Sequence, residues 1–436
     1  KTGHSTLTSI TRLVSSLGNA SNEKIISGNR HYFNAEVTLN NLIYIASEVK
    51  RSEVEPILIK YNLVIPTVDQ VMECIKYSTD LYWDDNIYLN KIRDFVLKLD
   101  DCERSVIVYG GDLYHIRKHN PEFIRQFIND LSRKVTPSNI PDRESMIKTM
   151  YSFDDQIPNY GHQVCIGEMS GKGTDYSDAK KFPDELLSTI YGTCSNIHNT
   201  VEKYQDFIYG FLLTNNIPAS VANLPNSSRR TVVLSDTDST MFSIDEWVEW
   251  YFGKIIFTPE AYAVAGAVMF VAVQCIAHVL AVFSANMNVD RSKINLLAMK
   301  PEYMFPAFAL TSVAKHYYTC IRVKEGSVYS EVEMEVKGVH MKNSAVPKVL
   351  NTASAALMER ILKTYLDGKD ISLAEILKET ADVERMIFNS LMSGEVTFFK
   401  TSKVKQHTAY TKGPTESPYQ WHEFWNKIFA VKYGDI

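Results

Sequence analysis

The stretch Thr231-Val-Val-Leu-Ser-Asp-Thr-Asp-Ser-Thr-Met-Phe242 decides how the chain is read. An apolar, β-branched run enters Asp-Thr-Asp-Ser and a second apolar pair leaves it. This is the pattern of a β-hairpin with a tight turn at Thr237-Asp238. Side chains alternate faces along a strand, so Asp236 and Asp238, two apart, aim at one spot. Paired carboxylates at a hairpin tip repel each other and call for a counter-ion. A hard divalent cation with oxygen ligands supplies one. Asp and Ser are also ordinary turn residues, so a plain polar turn fits this stretch equally well.

The 436 residues, 45% hydrophobic and 22% charged, suffice for two or three globular domains with a large core. A net charge of −5 excludes a uniformly basic nucleic-acid coat but leaves room for a local basic track. The six cysteines are scattered and form no Cys-x-x-Cys pair. That argues against a zinc ribbon or disulfide framework and for a reducing, cytoplasmic compartment. The first residue is Lys1, and no signal peptide follows. The expectation is a chain that begins partway through a longer reading frame or after a processing event.

Apolar spacing predicts a helix over residues 4–17, stopped at Gly18-Asn19, and another over 35–50. Residues 51–150 contain helical runs at 92–99 and 123–131 and a strand at 105–109 closed by Gly110-Gly111. Thr79-Asp-Leu-Tyr82 and Asp112-Leu-Tyr114 read as surface or helix-start features. Gly167-Glu-Met-Ser-Gly-Lys-Gly173 departs from phosphate-loop spacing and reads as a flexible loop. Residues 183–213 form an amphipathic helical stretch, 215–230 a polar loop, and 245–252 the start of a helix.

Residues 261–285 are long and apolar enough for a bilayer. No basic flank marks a cytoplasmic side, and the many Ala, Gly266, Gln274 and His278 suit a buried helix. Strands follow at 304–310, 317–323 and 328–336, with a turn at Glu325-Gly326, then helices at 347–366 and 371–391. The tail interleaves Lys400, Lys403, Lys405 and Lys412 with Tyr410, Tyr419, Trp421 and Trp425. Basic residues among aromatics fit nucleic-acid contact, though taken alone they favour an ordinary solvated face with buried rings.

Taken in order, these features resemble a family-B DNA polymerase, especially its tailed-phage branch. Ser235-Asp-Thr-Asp-Ser239 resembles the Asp-Thr-Asp-Ser hairpin of the palm, with Ser235 where the family usually has Gly. Glu302-Tyr-Met-Phe-Pro-Ala-Phe-Ala-Leu310 and Ala314-Lys-His-Tyr317 resemble the strands carrying the Lys-Lys-x-Tyr motif, with Ala314 replacing the first Lys. Val336-Lys-Gly-Val-His-Met-Lys-Asn-Ser-Ala-Val-Pro-Lys348 resembles the Lys-Gly strand and the Ser-x-x-Pro entry to the thumb. Upstream, Val14-Ser-Ser-Leu-Gly18 keeps only Ser15 and Gly18 of the fingers motif Lys-x3-Asn-Ser-x-Tyr-Gly.

The resemblance implies an α+β fold: a right-hand palm with an antiparallel sheet and packed helices. Residues 1–50 would be a fingers remnant and the return to the palm, 51–150 a lineage-specific helical insertion, 151–395 the palm, and 396–436 the start of the thumb. It implies template-directed transfer of a deoxynucleotide from dNTP to a primer 3′-hydroxyl, with two Mg2+ ions (Mn2+ as an alternative) and primer–template DNA as partner. Asp236 and Asp238 would be the catalytic metal carboxylates. Lys315, Tyr317, Lys337 and Lys342 would steady the duplex through phosphate and sugar contacts. Arg12 or Lys24 would replace the missing triphosphate-binding Lys. The family's first palm carboxylate and its exonuclease precede the fingers helix, so an upstream segment or second chain is expected to supply them. Three alternatives stay open: another palm polymerase using RNA, a non-catalytic DNA-binding fragment, and a membrane or scaffold protein built on 261–285.

Overall fold

The computed structural model describes residues 2–30, 35–77, 86–154, 156–166, 174–214, 229–236, 239–325, 327–338, 346–398 and 417–434. Helices dominate. The strands are β1 (Thr174–Asp175), β2 (Val232–Ser235), β3 (Thr240–Phe242), β4 (Tyr303–Met304), β5 (Ala307–Leu310), β6 (Tyr317–Lys324) and β7 (Ser327–Lys337). β2 and β3 form a separate antiparallel hairpin. In the larger sheet β1 runs antiparallel to β7, and β4 and β5 run antiparallel to β6. This mixture is the α+β class expected. The chain divides into two compact units, residues 1–304 with 322–332, and residues 305–321 with 333–436.

The first unit is built around a helix longer than its sequence suggests. It runs Thr2–Ser27, straight through the anticipated stop at Gly18-Asn19. From Leu17 onward nearly every residue is buried, so tertiary packing outweighs the helix-breaking preference of Gly and Asn. Gly18 admits the Met299 side chain, and Asn19 is engaged by the Thr240 hydroxyl. The true stop is Gly28, at φ +66°. There Gly28 N–H donates to the Lys24 carbonyl, the bond of an αL cap, and Asn29 N–H reaches further back to the Glu23 carbonyl.

Residues 105–109, read above as a strand, are helical. The helix Asp101–Tyr109 opens with a complete capping box, in which Asp100 accepts from Glu103 N–H and Glu103 accepts from Asp100 N–H. Its Val-Ile-Val run is the core-facing part of a short buried helix, which apolar content alone does not distinguish from a strand. Asp112, read as a surface or helix-start residue, does cap the helix Leu113–His119, but it is fully buried.

The other helices fall close to expectation, including Ala35–Ser47, Asn86–Val96, Pro121–Ser132, Asp184–Lys203 and Asp245–Phe252. The apolar segment forms one helix, Pro259–Asn286, and 17 of its residues are buried, so its hydrophobicity serves the core. Gln274 and His278 are half-buried on it. The stretch read as strand 304–310 is divided into β4 and β5, with Phe305 and Pro306 between them. Residues 79–82, 167–173 and 215–228, and the tail lysines Lys400, Lys403, Lys405 and Lys412, lie outside the described residues.

In the second unit, β5 pairs with β6 from Ala307↔Cys320 to Leu310↔Tyr317. Helices Lys348–Leu366 and Leu373–Ser393 follow, joined by Arg360, which bridges Glu375 and Glu379.

A Cβ added at Gly28 would lie 2.6 Å from His115 Cε1 and 2.7 Å from a Tyr114 ring carbon. Gly28→Ala is therefore expected to lower stability by about 2–4 kcal/mol, through left-handed backbone strain and overpacking. A lower urea midpoint at unchanged m-value checks it.

Candidate functional site

The β2–β3 hairpin forms on the stretch that the sequence marks out. Val232 pairs with Phe242, Leu234 with Met241 and Ser235 with Thr240, with an irregularity between Val232 and Leu234. Asp236 N–H donates to the Ser239 carbonyl at 2.9 Å, closing the turn. Asp236 and Ser239 are exposed, while Thr237 and Asp238 lie outside the described residues. A solvent-exposed carboxylate at a hairpin tip has the oxygen chemistry that Mg2+ takes up.

The base of the hairpin is held by residues that the sequence reading did not single out. Glu23, only 1% exposed, points its carboxylate at three consecutive backbone amides. Arg230 N–H donates to Oε2 at 2.9 Å, Thr231 N–H to Oε1 at 2.9 Å, and Val232 N–H to Oε1 at 2.6 Å. Asn29 Nδ2 adds a fourth bond to Oε2 at 2.8 Å. One helical turn earlier, Asn19 Oδ1 accepts from the Thr240 hydroxyl on the other strand. Thr231 and Ser243 close the open end, with Thr231 Oγ1 donating to the Ser243 carbonyl at 2.6 Å and Ser243 N–H to the Thr231 carbonyl at 2.8 Å. Trp247 Nε1 donates to the Ile26 carbonyl at 2.8 Å and ties the next helix to the same support. Asn19 and Glu23 stand four apart on one face of a helix that carries several other polar residues, so the sequence offers little signal that sets them apart.

The two candidate triphosphate residues have different surroundings. Arg12 is exposed on the Thr2–Ser27 helix. Lys24 is half-buried, with Nζ over Gly111 beside Thr214. Burial, then the neighbouring Arg30 guanidinium, holds its pKa down at about 7.

Beside Lys24 lies a buried ionic network. Arg30 Nε and a terminal guanidinium nitrogen donate to Asp112 Oδ2 at 3.0 and 2.9 Å. The same guanidinium donates to the carbonyls of Ile107 and Val108 at the end of their helix. His115 Nδ1 lies 2.8 Å from Asp112 Oδ2. Burial opposes the charge on Asp112, but His115 and Arg30 outweigh it and hold the carboxyl down at about 2. Burial also opposes the imidazolium, but Asp112 and Cys74 raise His115 to about 9.

Cys74, Asp112 and His115 bring their ligand atoms within 4.8 Å of one another, the one such group among the described residues. The donor types suit a transition metal, but the position does not. Arg30 already supplies the positive charge, and Asp112 Oδ2 is filled by Arg30 and His115. The cluster is an internal ion-pair network in which a dication would meet a buried guanidinium.

In the second unit Lys315 stands exposed at φ +63° in the turn between β5 and β6. Thr311 N–H donates to the His316 carbonyl and His316 N–H to the Val313 carbonyl, fixing that turn. Tyr317 is buried, its ring 4.9 Å from that of Phe308. Lys337 is exposed at the end of β7. After it, Gly338, at φ +71°, passes so close to the turn that a Cβ would lie 2.5 Å from the His316 ring and 2.9 Å from the Lys315 carbonyl. The Lys-x-Tyr and Lys-Gly segments are thus brought together, and glycine is what permits the approach. Lys342 lies outside the described residues.

The first unit thus holds a hairpin clamped at its base, and the second a Lys-x-Tyr turn met by a Lys-Gly strand. Residues 1–436 match the family described as divergent family B DNA polymerase, and the chain belongs to that family. No curated protein and no solved structure gives a significant match.

Asp112→Asn is expected to cost about 3–5 kcal/mol near neutral pH, because it breaks a buried ion pair. The folded-state pKa of Asp112, about 2, lies below its ordinary 3.8, so its contribution is full above that ordinary value and is lost as pH falls through the folded one. The stability gap between wild type and variant should therefore narrow from pH 4 toward pH 2, as read by urea unfolding across that range.

Proposed function

We propose that this chain catalyses template-directed DNA synthesis, adding a deoxynucleotide from dNTP to a primer 3′-hydroxyl. The observation that carries the reading is the Asp236-Thr-Asp238 hairpin, clamped at its base, in a chain of this family. The fold is read as a palm. Residues 1–50 are read as fingers remnant and return, 51–150 as an insertion, 151–395 as palm and 396–436 as the beginning of a thumb. Residues 1–436 contain no Asp-x-x-Ser-Leu-Tyr-Pro-Ser run, the motif that carries the family's first palm carboxylate. In this reading a further segment or chain contributes that carboxylate.

Asp236 and Asp238 hold divalent metal by carboxylate oxygens, Mg2+ first and Mn2+ as a substitute. Bound there, divalent ions would supply charge neutralisation for in-line attack on the α-phosphate. The chain's own task is positioning, since phosphoryl transfer needs little covalent help. Arg12, exposed on the Thr2–Ser27 helix, is the better placed of the two triphosphate candidates, because Lys24 is partly enclosed and its charge is weakened by burial and Arg30. Lys315 and Lys337 offer exposed side chains to duplex phosphates, and Lys342, outside the described residues, is assigned to the duplex from the motif alone. Tyr317 props the turn from beneath against Phe308. Contacts of this kind fix the duplex without reading its sequence. An acidic net charge is compatible, because the basic track is local.

Primer extension by the polypeptide that carries residues 1–436 tests the reading. Asp238→Ala should abolish incorporation while duplex affinity stays within about twofold, since metal carboxylates are not duplex contacts. Retained incorporation overturns the assignment, and a wild type that binds duplex without extending it makes this a DNA-binding relative. Lys315→Ala should weaken primer–template binding and reduce the log–log salt slope by about 0.9, the value of one phosphate contact. Fluorescence anisotropy across a salt series reads that slope.

A further inference from the structure

Glu23 is a carboxylate with almost no solvent and no cation on it among its described contacts. Burying a charge is costly unless hydrogen bonds satisfy it, and here four N–H groups do so. Three of them are consecutive amides. In a regular strand successive N–H groups point in opposite directions, so their convergence on one anion means the chain curls around Glu23 as it enters β2. The register irregularity between Val232 and Leu234 follows directly. Both carboxylate oxygens are taken up by these donors, so Glu23 is not a metal ligand. Four residues on from Val232 stands Asp236. The span is about 13 Å at 3.3 Å per residue, so a small rotation at the base becomes a displacement at the tip.

We infer that Glu23, with Asn19 holding the opposite strand, is the positioning clamp that orients the β2–β3 hairpin, and with it Asp236, for metal binding. The inference rests on the polymerase reading for its catalytic consequence, but not for its structural one. It accounts for three features together: a helix that continues through Gly18-Asn19, a buried acid with no cationic partner among the described residues, and strand entry at consecutive amides. A carboxylate is required. A glutamine at the same place would turn an NH2 donor toward amide donors and leave at least one N–H unpaired.

The test compares wild type, Glu23→Gln and Thr240→Val, each confirmed as folded by circular dichroism. Thr240→Val removes only the hydroxyl that engages Asn19. Three measurements are made: hydrogen exchange of the Arg230, Thr231 and Val232 amides, Mn2+ affinity by electron paramagnetic resonance without substrate, and primer extension. In Glu23→Gln the amides should exchange about tenfold faster or more, the consequence of losing one buried charge-assisted bond. Mn2+ affinity should fall at least about fivefold, and turnover about tenfold or more, with KM for dNTP and duplex affinity within about twofold, because positioning acts on the transition state. Half-maximal Mg2+ concentration should rise in step. Thr240→Val should shift the same quantities in the same direction, by less.

Faster amide exchange with unchanged Mn2+ affinity and turnover would overturn the inference, leaving Glu23 a structural residue only. If Glu23→Gln does not fold, unchanged Mn2+ affinity and turnover in Thr240→Val would overturn it. Failure of the polymerase reading shows separately, as a wild type that binds Mn2+ but does not extend primers.

Discussion

A single buried carboxylate organises the approach to the β2–β3 hairpin. Glu23 gathers the amides of Arg230, Thr231 and Val232 and thereby joins the first helix to a hairpin some two hundred residues later. The bonds are charge-assisted, and water is excluded, which strengthens them. The helix supporting Glu23 is itself held at several points: Asn19 to Thr240, Ile26 to Trp247, and its Gly28 cap against Tyr114 and His115. Each contact links residues far apart in sequence, so the hairpin's orientation belongs to the whole helical body.

Electrostatics in that body are arranged for support. Arg30 serves as a covering cation for Asp112 and as a cap for the carbonyls of Ile107 and Val108. His115 completes the network, and the neighbouring Cys74 is drawn toward the thiolate by Arg30 and His115 against the opposing effect of burial. Residue types alone would make Cys74, Asp112 and His115 look like a metal site. The guanidinium decides otherwise, because it occupies the charge that a cation would have neutralised. The depressed Lys24 lies at the edge of the same network, where burial and Arg30 both disfavour its charge.

The second unit solves a different problem, that of presenting cations on a rigid frame. Lys315 sits on a turn with backbone bonds across it, above the buried Tyr317–Phe308 ring pair. The close passage of Gly338 brings the end of β7 to the same turn. Two motifs separated by twenty residues thereby become neighbours within one unit.

Much of this was legible in the sequence. The apolar, β-branched run before Asp236 and the apolar pair after Ser239 marked the hairpin, while its irregular register was decided by the fold. The apolar content of 261–285 marked a long helix, whose burial only the fold decided, and the order of short motifs pointed to the family. The tertiary structure decided what local preference could not. Gly18-Asn19 reads as a stop, yet burial on all sides carries the helix onward to Gly28. Ser105–Tyr109 reads as a strand, yet the Asp100–Glu103 box starts a helix there. Glu23 reads as an ordinary charged residue, and only the approach of Arg230, Thr231 and Val232 makes it an anchor. A pattern along the chain reports which face is apolar; which donors meet a buried charge depends on segments that come together only when the chain has folded.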